Sequence, residues 1–507
     1  MFILFLNYKM KNNKLKLDGV LLTIFNIVFI ISIIFVSSIV VLKPHYRELS
    51  GKFTNGGFPT WAITVGIILE LFIFLVIAFI TKKIDKRYLK IISIINIIIF
   101  FILLVIFGFG LTVKPQWDFG TVYYTAMDKV KHGGRYLPAY YYDWYPNNIF
   151  ITMILYWIYK VFNIFKISFL YGSIAVNIIL ILISVVATYF LIKNIYGLRT
   201  ATVSSFFFLL LTPLYAYAPI FYTDTFTMLC LPIVYLLYRK YLKENKWIYL
   251  ILMGIVGAIG VGIKNNISIG IIALMIFAIF ELRNIKKIIK LYAFVGVSFL
   301  IITSIITGIC QANIPRPLDE AGLPYTHWIM MGLKGYGAWN KEDFDASISL
   351  VPNKQKIEAF NKKVIKERLD AFGVDGLMNH LLLKNEFTWG DGTYFAANVL
   401  SYDSLHSKST LYKYTIGSEN SGFLLFSQVG QGFMLLMIIV GSLGMFKDKR
   451  NVAMLFNICI FGIFLFLMLW EACPRYLLCI LPIMIASASN GLNNIMKLGI
   501  FKEDKKD

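Results

Sequence analysis

Apolar runs of about twenty residues recur along this 507-residue chain, each closed by a short polar turn. Such a run either crosses a bilayer as a helix that satisfies its own backbone, or is packed inside a large soluble core. A mean hydropathy of +0.70 with 15% charged residues is outside the soluble range and decides for the bilayer. The runs at 19–42, 61–81, 91–113, 168–192, 201–221, 226–242, 248–264, 267–281, 289–310, 421–446, 452–470 and 476–496 predict an all-α polytopic membrane protein with about twelve transmembrane helices. The stretch 148–165 would raise the count to about thirteen if it crossed. A helix dipping into the outer leaflet is the reading that keeps the charge pattern; the other is that it crosses and a short run such as 226–242 or 267–281 does not.

Charge sets the orientation. The formal net charge is +21. The basic residues gather at Lys82-Lys83, Lys86-Arg87, Lys193, Arg199, Arg239-Lys240, Lys243, Arg283, Lys286-Lys287 and Lys447 with Lys449-Arg450, all on one side under this count. Positive-inside bias makes that side the cytoplasm, with both termini. No basic stripe interleaved with aromatics stands in a soluble segment, which excludes a nucleic-acid partner. Lys9, Lys11, Lys14 and Lys16 precede an apolar run from Leu21 to Leu42 that is too long for a signal-peptide core and has no cleavage pattern, so it is expected to stay as an anchor. Cys230, Cys310, Cys459, Cys473 and Cys479 lie in or beside apolar runs without metal-ligand spacing and read as small buried hydrophobes.

The chain then divides into N-terminal spans over 1–113, an extracytoplasmic loop over 114–147, a transmembrane core over 148–310, an extracytoplasmic α or α+β segment over 311–420, and C-terminal spans with a cytoplasmic tail over 421–507. The loop 114–147 holds Asp118, Asp128, Lys129, Lys131, His132, Arg135 and Asp143 between apolar runs, so it must sit in water or at the headgroups. It reads as the catalytic loop. Asp118, Asp224, Lys264, Glu471 and Arg475 all map to the outer ends of spans. One such charge reads as a snorkelling helix end; five on one face call for a function, because ionisable groups in a bilayer cost about 2.5 to 3.5 kcal/mol each at its centre. An acid beside cations suits transfer from a lipid-linked phosphosugar: a base takes the acceptor's proton and positive groups hold the phosphate that leaves. A phosphate departs as a stable anion and needs no general acid.

Three blocks carry a resemblance: Trp117-Asp118-Phe119-Gly120-Thr121-Val122-Tyr123-Tyr124-Thr125-Ala126, Asp143-Trp144-Tyr145-Pro146-Asn147-Asn148, and Pro219-Ile220-Phe221-Tyr222-Thr223-Asp224. Their order and spacing resemble the GT-C superfamily of polyprenyl-phosphate-sugar transferases, and within it the protein O-mannosyltransferases and lipid A aminoarabinose transferases. In that family an acid follows an early span, a Tyr-Pro or Lys-Pro element opens the next helix, a second acid ends a later span, and a Lys follows in a Thr-Lys-Gly-like turn. Asp118, Tyr145-Pro146, Asp224 and Ile263-Lys264-Asn265 occupy those places, and Glu471 with Arg475-Tyr476 resembles an Arg-Tyr element of the last spans. The resemblance implies an inverting membrane glycosyltransferase acting at the outer face of the cytoplasmic membrane. Its donor would be a polyprenyl-phosphate-linked sugar and its acceptor a cell-envelope glycan, lipid or protein. Asp118 is expected as base, Asp224 as a second acid positioning acceptor or base, and Lys264, Arg475 and Arg135 as donor-phosphate ligands.

Phe119 stands where mannosyltransferases tend to carry a second acid, and Tyr145 where aminoarabinose transferases carry a lysine, so Lys264, Arg475 or Arg135 must meet the phosphate. Trp117, Tyr142, Tyr145, Tyr222, Glu471 and His327 are expected to line the substrate site. Tyr136, Tyr140, Tyr141, Tyr142, Trp144 and Tyr145 read equally as an interfacial aromatic belt and as sugar contacts. Some members of the superfamily use a divalent cation, but Asp118 and Asp224 form no DxD, so no metal or other cofactor is expected. No P-loop, dinucleotide fingerprint or nucleotide-sugar motif stands in the cytoplasmic loops. A transporter or flippase of lipid-linked saccharides, or a polymerase, is the rival; no matched pair of broken spans marks an inverted-repeat transporter.

Overall fold

A backbone in hydrocarbon closes its hydrogen bonds within each helix, and the computed structural model resolves the apolar runs accordingly. It describes residues 2–47, 53–55, 58–447 and 451–501, with backbone alone for residues 2–17, 47 and 53–55. The basic pair Lys449-Arg450 and the tail past residue 501 lie outside the described residues. Among the described residues seven helices are long and apolar enough to cross a membrane: Asp18–Leu42, Thr60–Thr81, Lys86–Gly110, Phe169–Tyr196, Ile285–Ala312, Ser421–Gly444 and Pro474–Met496. Four shorter apolar stretches join them, Leu198–Leu210, Ile248–Ile263, Ile267–Leu282 and Ala453–Leu469. Ile68 and Phe72, 59% and 62% exposed, stand on the outward face of Thr60–Thr81, as lipid-facing side chains do. At the centre, Leu481–Met496 packs against Ser421–Gly444, where Gly491 lets the Met437 carbonyl approach so closely that any Cβ would collide with it.

The run 201–221, expected as one span, is broken into Leu198–Ser204, Phe207–Leu210 and Pro213–Ala216. Pro213 and Pro219 lack the N–H that a continuous helix needs. The carbonyls this frees are met from a neighbouring span: the Asn177 amide donates to Tyr217, Ala218 and Ile220 oxygens at 3.1, 2.9 and 3.2 Å. Residues 211–228 are buried throughout, so this irregular backbone is shielded from lipid by protein, the condition under which it is tolerated at membrane depth.

The stretch 114–147, expected as a loop, is largely helical, with a 16-residue helix over Trp117–His132 and a single turn at Ala139–Tyr142. Its buried side chains Phe119, Val122, Tyr123 and Ala126 follow helical spacing, and that face packs on Ile149–Ile164. Ile149–Ile164 itself has 16 residues, a rise of about 24 Å against a hydrocarbon core of about 30 Å. Of the two options for 311–420, the described residues take the helical one: Tyr325–Gly332, Lys341–Ile348, Lys354–Trp389, Ala396–Ser401 and Thr410–Thr415, with one bridge from Ser404 to Val113. Lys354–Trp389 is kinked at Gly373, whose φ of 57° suits glycine. At its end the Asp391 carboxylate accepts from the Thr393 N–H and hydroxyl, both at 2.7 Å, and from the Phe395 N–H at 2.9 Å, and so closes the Trp389–Gly392 turn. An antiparallel hairpin pairing His45 with Asn55 and Arg47 with Phe53 has no counterpart among the sequence expectations.

The helices that bring residues to the site leave it toward basic turns. Lys86–Gly110 begins at Lys86-Arg87 and ends just before Trp117, Ile248–Ile263 ends at Lys264, and Ile267–Leu282 starts beyond Asn266 and ends at Arg283.

Candidate functional site

Asp118 sits in the first turn of Trp117–His132, where the helix dipole favours an acid. The entry is tight: a Cβ at Gly120 would lie 2.6 Å from the Pro115 carbonyl oxygen, so this position requires glycine. Trp117 adopts φ 47°, in the left-handed region that costs a bulky residue of order 1–3 kcal/mol. Its ring is held 5.2 Å from Tyr222 and 5.7 Å from Phe119, with the Arg475 guanidinium 4.6 Å away over its face.

A chain of hydrogen bonds aims the Asp118 carboxylate. The Tyr141 hydroxyl donates to Asp118 Oδ1 at 2.8 Å, the Asn148 amide donates to the Tyr141 oxygen at 2.6 Å, and the Tyr222 hydroxyl donates to Asn148 Oδ1 at 3.1 Å. Three residues, Tyr141, Asn148 and Tyr222, thus fix one carboxylate. Burial pushes the Asp118 carboxyl above its ordinary range, against the Tyr141 hydrogen bond and the charges of Arg475 and Lys264.

Opposite charges are concentrated on Asp224, which is 1% exposed in the short helix Thr223–Thr227. Lys264 Nζ lies 2.7 Å from its Oδ1 and Arg475 Nη1 2.7 Å from its Oδ2. Lys264 is presented where Ile248–Ile263 ends and the backbone turns extended; Arg475 comes from the 3₁₀ segment Pro474–Ile480. Both cations also lie over aromatic rings: Lys264 4.6 Å from Tyr476, and Arg475 5.3 Å from Tyr222 and 5.6 Å from Tyr476. Asp224 alone does not neutralise the two cations, whose charges also act on Asp118 and Glu471, and N–H donors on both remain unused by Asp224. Glu471, 6% exposed, accepts from the Tyr476 hydroxyl at 3.3 Å. Burial and the nearby Asp118 push its carboxyl up to about 7, against the pull of Arg475 and Lys264.

These groups open on one cavity of about 1500 Å³. Of the residues singled out in the sequence, Asp118, Lys264, Arg475, Glu471, Trp117, Tyr145 and Tyr222 line it. Asp224, expected as a second acid, is not among the lining residues; its carboxylate is paired with Lys264 and Arg475. Three expected residues stand elsewhere. Arg135 is exposed and stacks on Tyr136 at 5.0 Å, because the helix end at His132 carries it away from the cavity. Tyr142 is fully buried with its hydroxyl 2.8 Å from that of Thr152. His327 is buried 2.8 Å from the Ser347 hydroxyl, and burial pushes its pKa down to about 4, keeping it neutral. Tyr141, which read equally as a belt aromatic and a sugar contact, and Asn148, quoted only at the end of the Asp143–Asn148 block, were not among the expected site residues. The signal was a polar Asn at the head of an apolar run. Among the described residues no cluster of three or more His, Cys, Asp or Glu side chains could hold a metal ion.

No curated protein matches the chain. Among solved structures, the archaeal oligosaccharyltransferase AglB from Archaeoglobus fulgidus, in complex with an inhibitory peptide and a dolichol-phosphate, is similar at 13% identity and a TM-score of 0.43 over 80% of this chain. This chain spans 50% of the length of that one. ArnT from Cupriavidus metallidurans, bound to undecaprenyl phosphate, is similar at 9% identity and a TM-score of 0.35, with 81% of this chain and 78% of that one covered. Residues 16–494 match the family model described as conserved hypothetical integral membrane protein, and the chain belongs to that family.

Proposed function

We propose that this protein is a membrane glycosyltransferase of GT-C type that moves a sugar from a polyprenyl-phosphate carrier to a hydroxyl acceptor at the outer face of the cytoplasmic membrane. The observation that carries this reading is a single cavity with an aimed carboxylate, Asp118, and a cation pair, Lys264 and Arg475, that one carboxylate leaves incompletely neutralised. Asp118 takes the proton from the acceptor hydroxyl as its oxygen attacks the anomeric carbon. The bond from that carbon to the phosphate oxygen breaks, and the electron pair leaves on the phosphate, whose growing charge meets Lys264 and Arg475. Attack from the side opposite the leaving phosphate inverts the anomeric centre. The sequence resemblance to polyprenyl-phosphate-sugar transferases supports the same assignment.

Lys264→Ala tests the phosphate site. A charged hydrogen bond contributes about 1.5–3 kcal/mol, so this variant should bind undecaprenyl phosphate in nanodiscs roughly tenfold or more weakly than wild type. Unchanged binding would remove the clamp.

Glu471 supplies a pH signature. With its carboxyl raised to about 7 it is neutral below that pH and adds a negative charge beside the cations above it. Retention of a phosphodiester-linked donor should therefore fall between pH 6 and pH 8 in wild type and stay flat in Glu471→Gln, which keeps the neutral form throughout. Parallel pH profiles for the two proteins would exclude this role.

Orientation follows from the basic turns, which we assign to the cytoplasm with both termini. Cysteines introduced at Lys83 and Lys240 should resist a membrane-impermeant thiol reagent in intact cells, while one at Val374, 80% exposed in the 311–420 segment, should react. Labelling at Lys240 from outside would reverse the map.

A further inference from the structure

We propose that the acceptor is a saccharide, held along a ladder of aromatic rings that leads from the mouth of the cavity to Asp118; this rests on the transfer reading above. The ladder begins at Trp339, 49% exposed. Its ring lies 5.9 Å from Phe344, which is stacked on Tyr145 at 6.0 Å with 7° between the planes. Tyr145 lies 5.1 Å from Tyr141, whose hydroxyl holds the Asp118 carboxylate. A branch runs from Tyr145 to Trp328 at 5.9 Å and on to Trp470, stacked at 6.1 Å and 19°. Apart from Tyr141, which is buried, these rings are partly exposed and line the cavity, whereas the core aromatics Tyr142 and Tyr159 are fully buried. They come from the 114–147 stretch, the 311–420 segment and the end of Ala453–Leu469, so local packing of one helix does not account for the alignment.

The polar groups between the rings choose among occupants. Asn147, Asn340 and Asn398 also line the cavity, neutral amides that can both donate and accept; Asn340 is engaged with Asp343, whereas the buried Asn398 Oδ1 has no hydrogen-bond partner among the described residues. A pyranose offers a matching surface: a flat C–H face for an aromatic ring and an edge of hydroxyls for amides. Outside the site described above, the one charged residue on the lining is Lys341, so the wall is not built for an anionic headgroup. The lipid half of the donor has its own place, since Ile263 and Ile269 flank the Lys264 turn on the same lining. An isoprenoid chain would be matched by such aliphatic side chains and would leave the Asn398 amide oxygen unsatisfied.

The test uses the full-length protein in nanodiscs, with chitohexaose and maltohexaose as saccharide probes, undecaprenyl phosphate as lipid probe and a Ser/Thr-rich peptide as the remaining acceptor class. Saturable quenching of tryptophan fluorescence by at least one saccharide is expected. Trp339→Ala, at an exposed position that does not endanger folding, and Trp328→Ala should weaken it roughly tenfold. Trp328→Phe, which keeps an aromatic face, should restore most of the affinity, and undecaprenyl phosphate binding should be unchanged in all three. Overturning results are no saturable binding of either saccharide by wild type, loss of lipid binding in the tryptophan variants, or binding of the peptide with the same dependence on Trp328 and Trp339. Transfer surviving in Asp118→Asn would sink the catalytic reading and leave this site standing, so the two failures are distinguishable.

Discussion

Asp118→Asn is expected to lower the turnover of sugar transfer by roughly 10²–10⁴-fold while undecaprenyl phosphate binding stays close to wild type. The asparagine keeps the size of the side chain and an oxygen that accepts from Tyr141, so the hydrogen-bonded chain through Asn148 and Tyr222 survives. What it loses is basicity. The geometry makes this substitution informative because the carboxylate is oriented by neutral hydroxyls and amides, so its removal does not strand a paired cation. Transfer measured in membranes that contain a polyprenyl-phosphate-sugar pool, together with lipid binding on the same preparation, separates chemistry from retention. Full turnover in the variant would remove Asp118 as base.

Asp224→Ala is expected to act on the fold before it acts on the chemistry. Asp224 is 1% exposed, and Lys264 and Arg475, with side chains 11% and 12% exposed, each lie 2.7 Å from one of its oxygens. Removing one partner from a buried ion cluster leaves uncompensated charge and costs about 3–5 kcal/mol. Here it leaves two cations facing each other. The thermal midpoint of the solubilised protein should drop by several degrees and the folded yield should fall, with Asp224→Asn showing most of the same loss because it removes the same charge. A group whose task was only to position the acceptor would behave otherwise, losing turnover at an unchanged midpoint. An unaltered midpoint in both variants would therefore return Asp224 to that role.

The two residues illustrate different limits of sequence reading. Asp118 and Asp224 were both legible as acids at the ends of apolar runs, since a charge there needs a reason in hydrocarbon. Which cations approach each one was not legible, because those partners come from distant parts of the chain. Arg475 and Asp224, 251 positions apart in the chain, become partners only when the 3₁₀ segment at Pro474 folds against Thr223–Thr227. Arg135 and His327 show the converse. Each has the right chemistry and a nearby position in sequence, but a helix end carries Arg135 into solvent and a polar cluster with Ser347 encloses His327.

By itself the sequence determined the class of architecture. Apolar runs of membrane length permit helices and little else. Helical spacing of Phe119, Val122, Tyr123 and Ala126 was also present in the chain, although a high density of charges and tyrosines around it read as loop. Pro213 and Pro219 allowed the break at 201–221, but tertiary structure decided how its carbonyls are met and the convergence at the cavity. An irregular segment is stable at membrane depth only where another span offers donors for its carbonyls, and that donor, Asn177, lies about 40 positions earlier. The aromatic ladder has the same origin: its rings are scattered from Tyr141 to Trp470, and no periodicity within one element announces contacts made between elements.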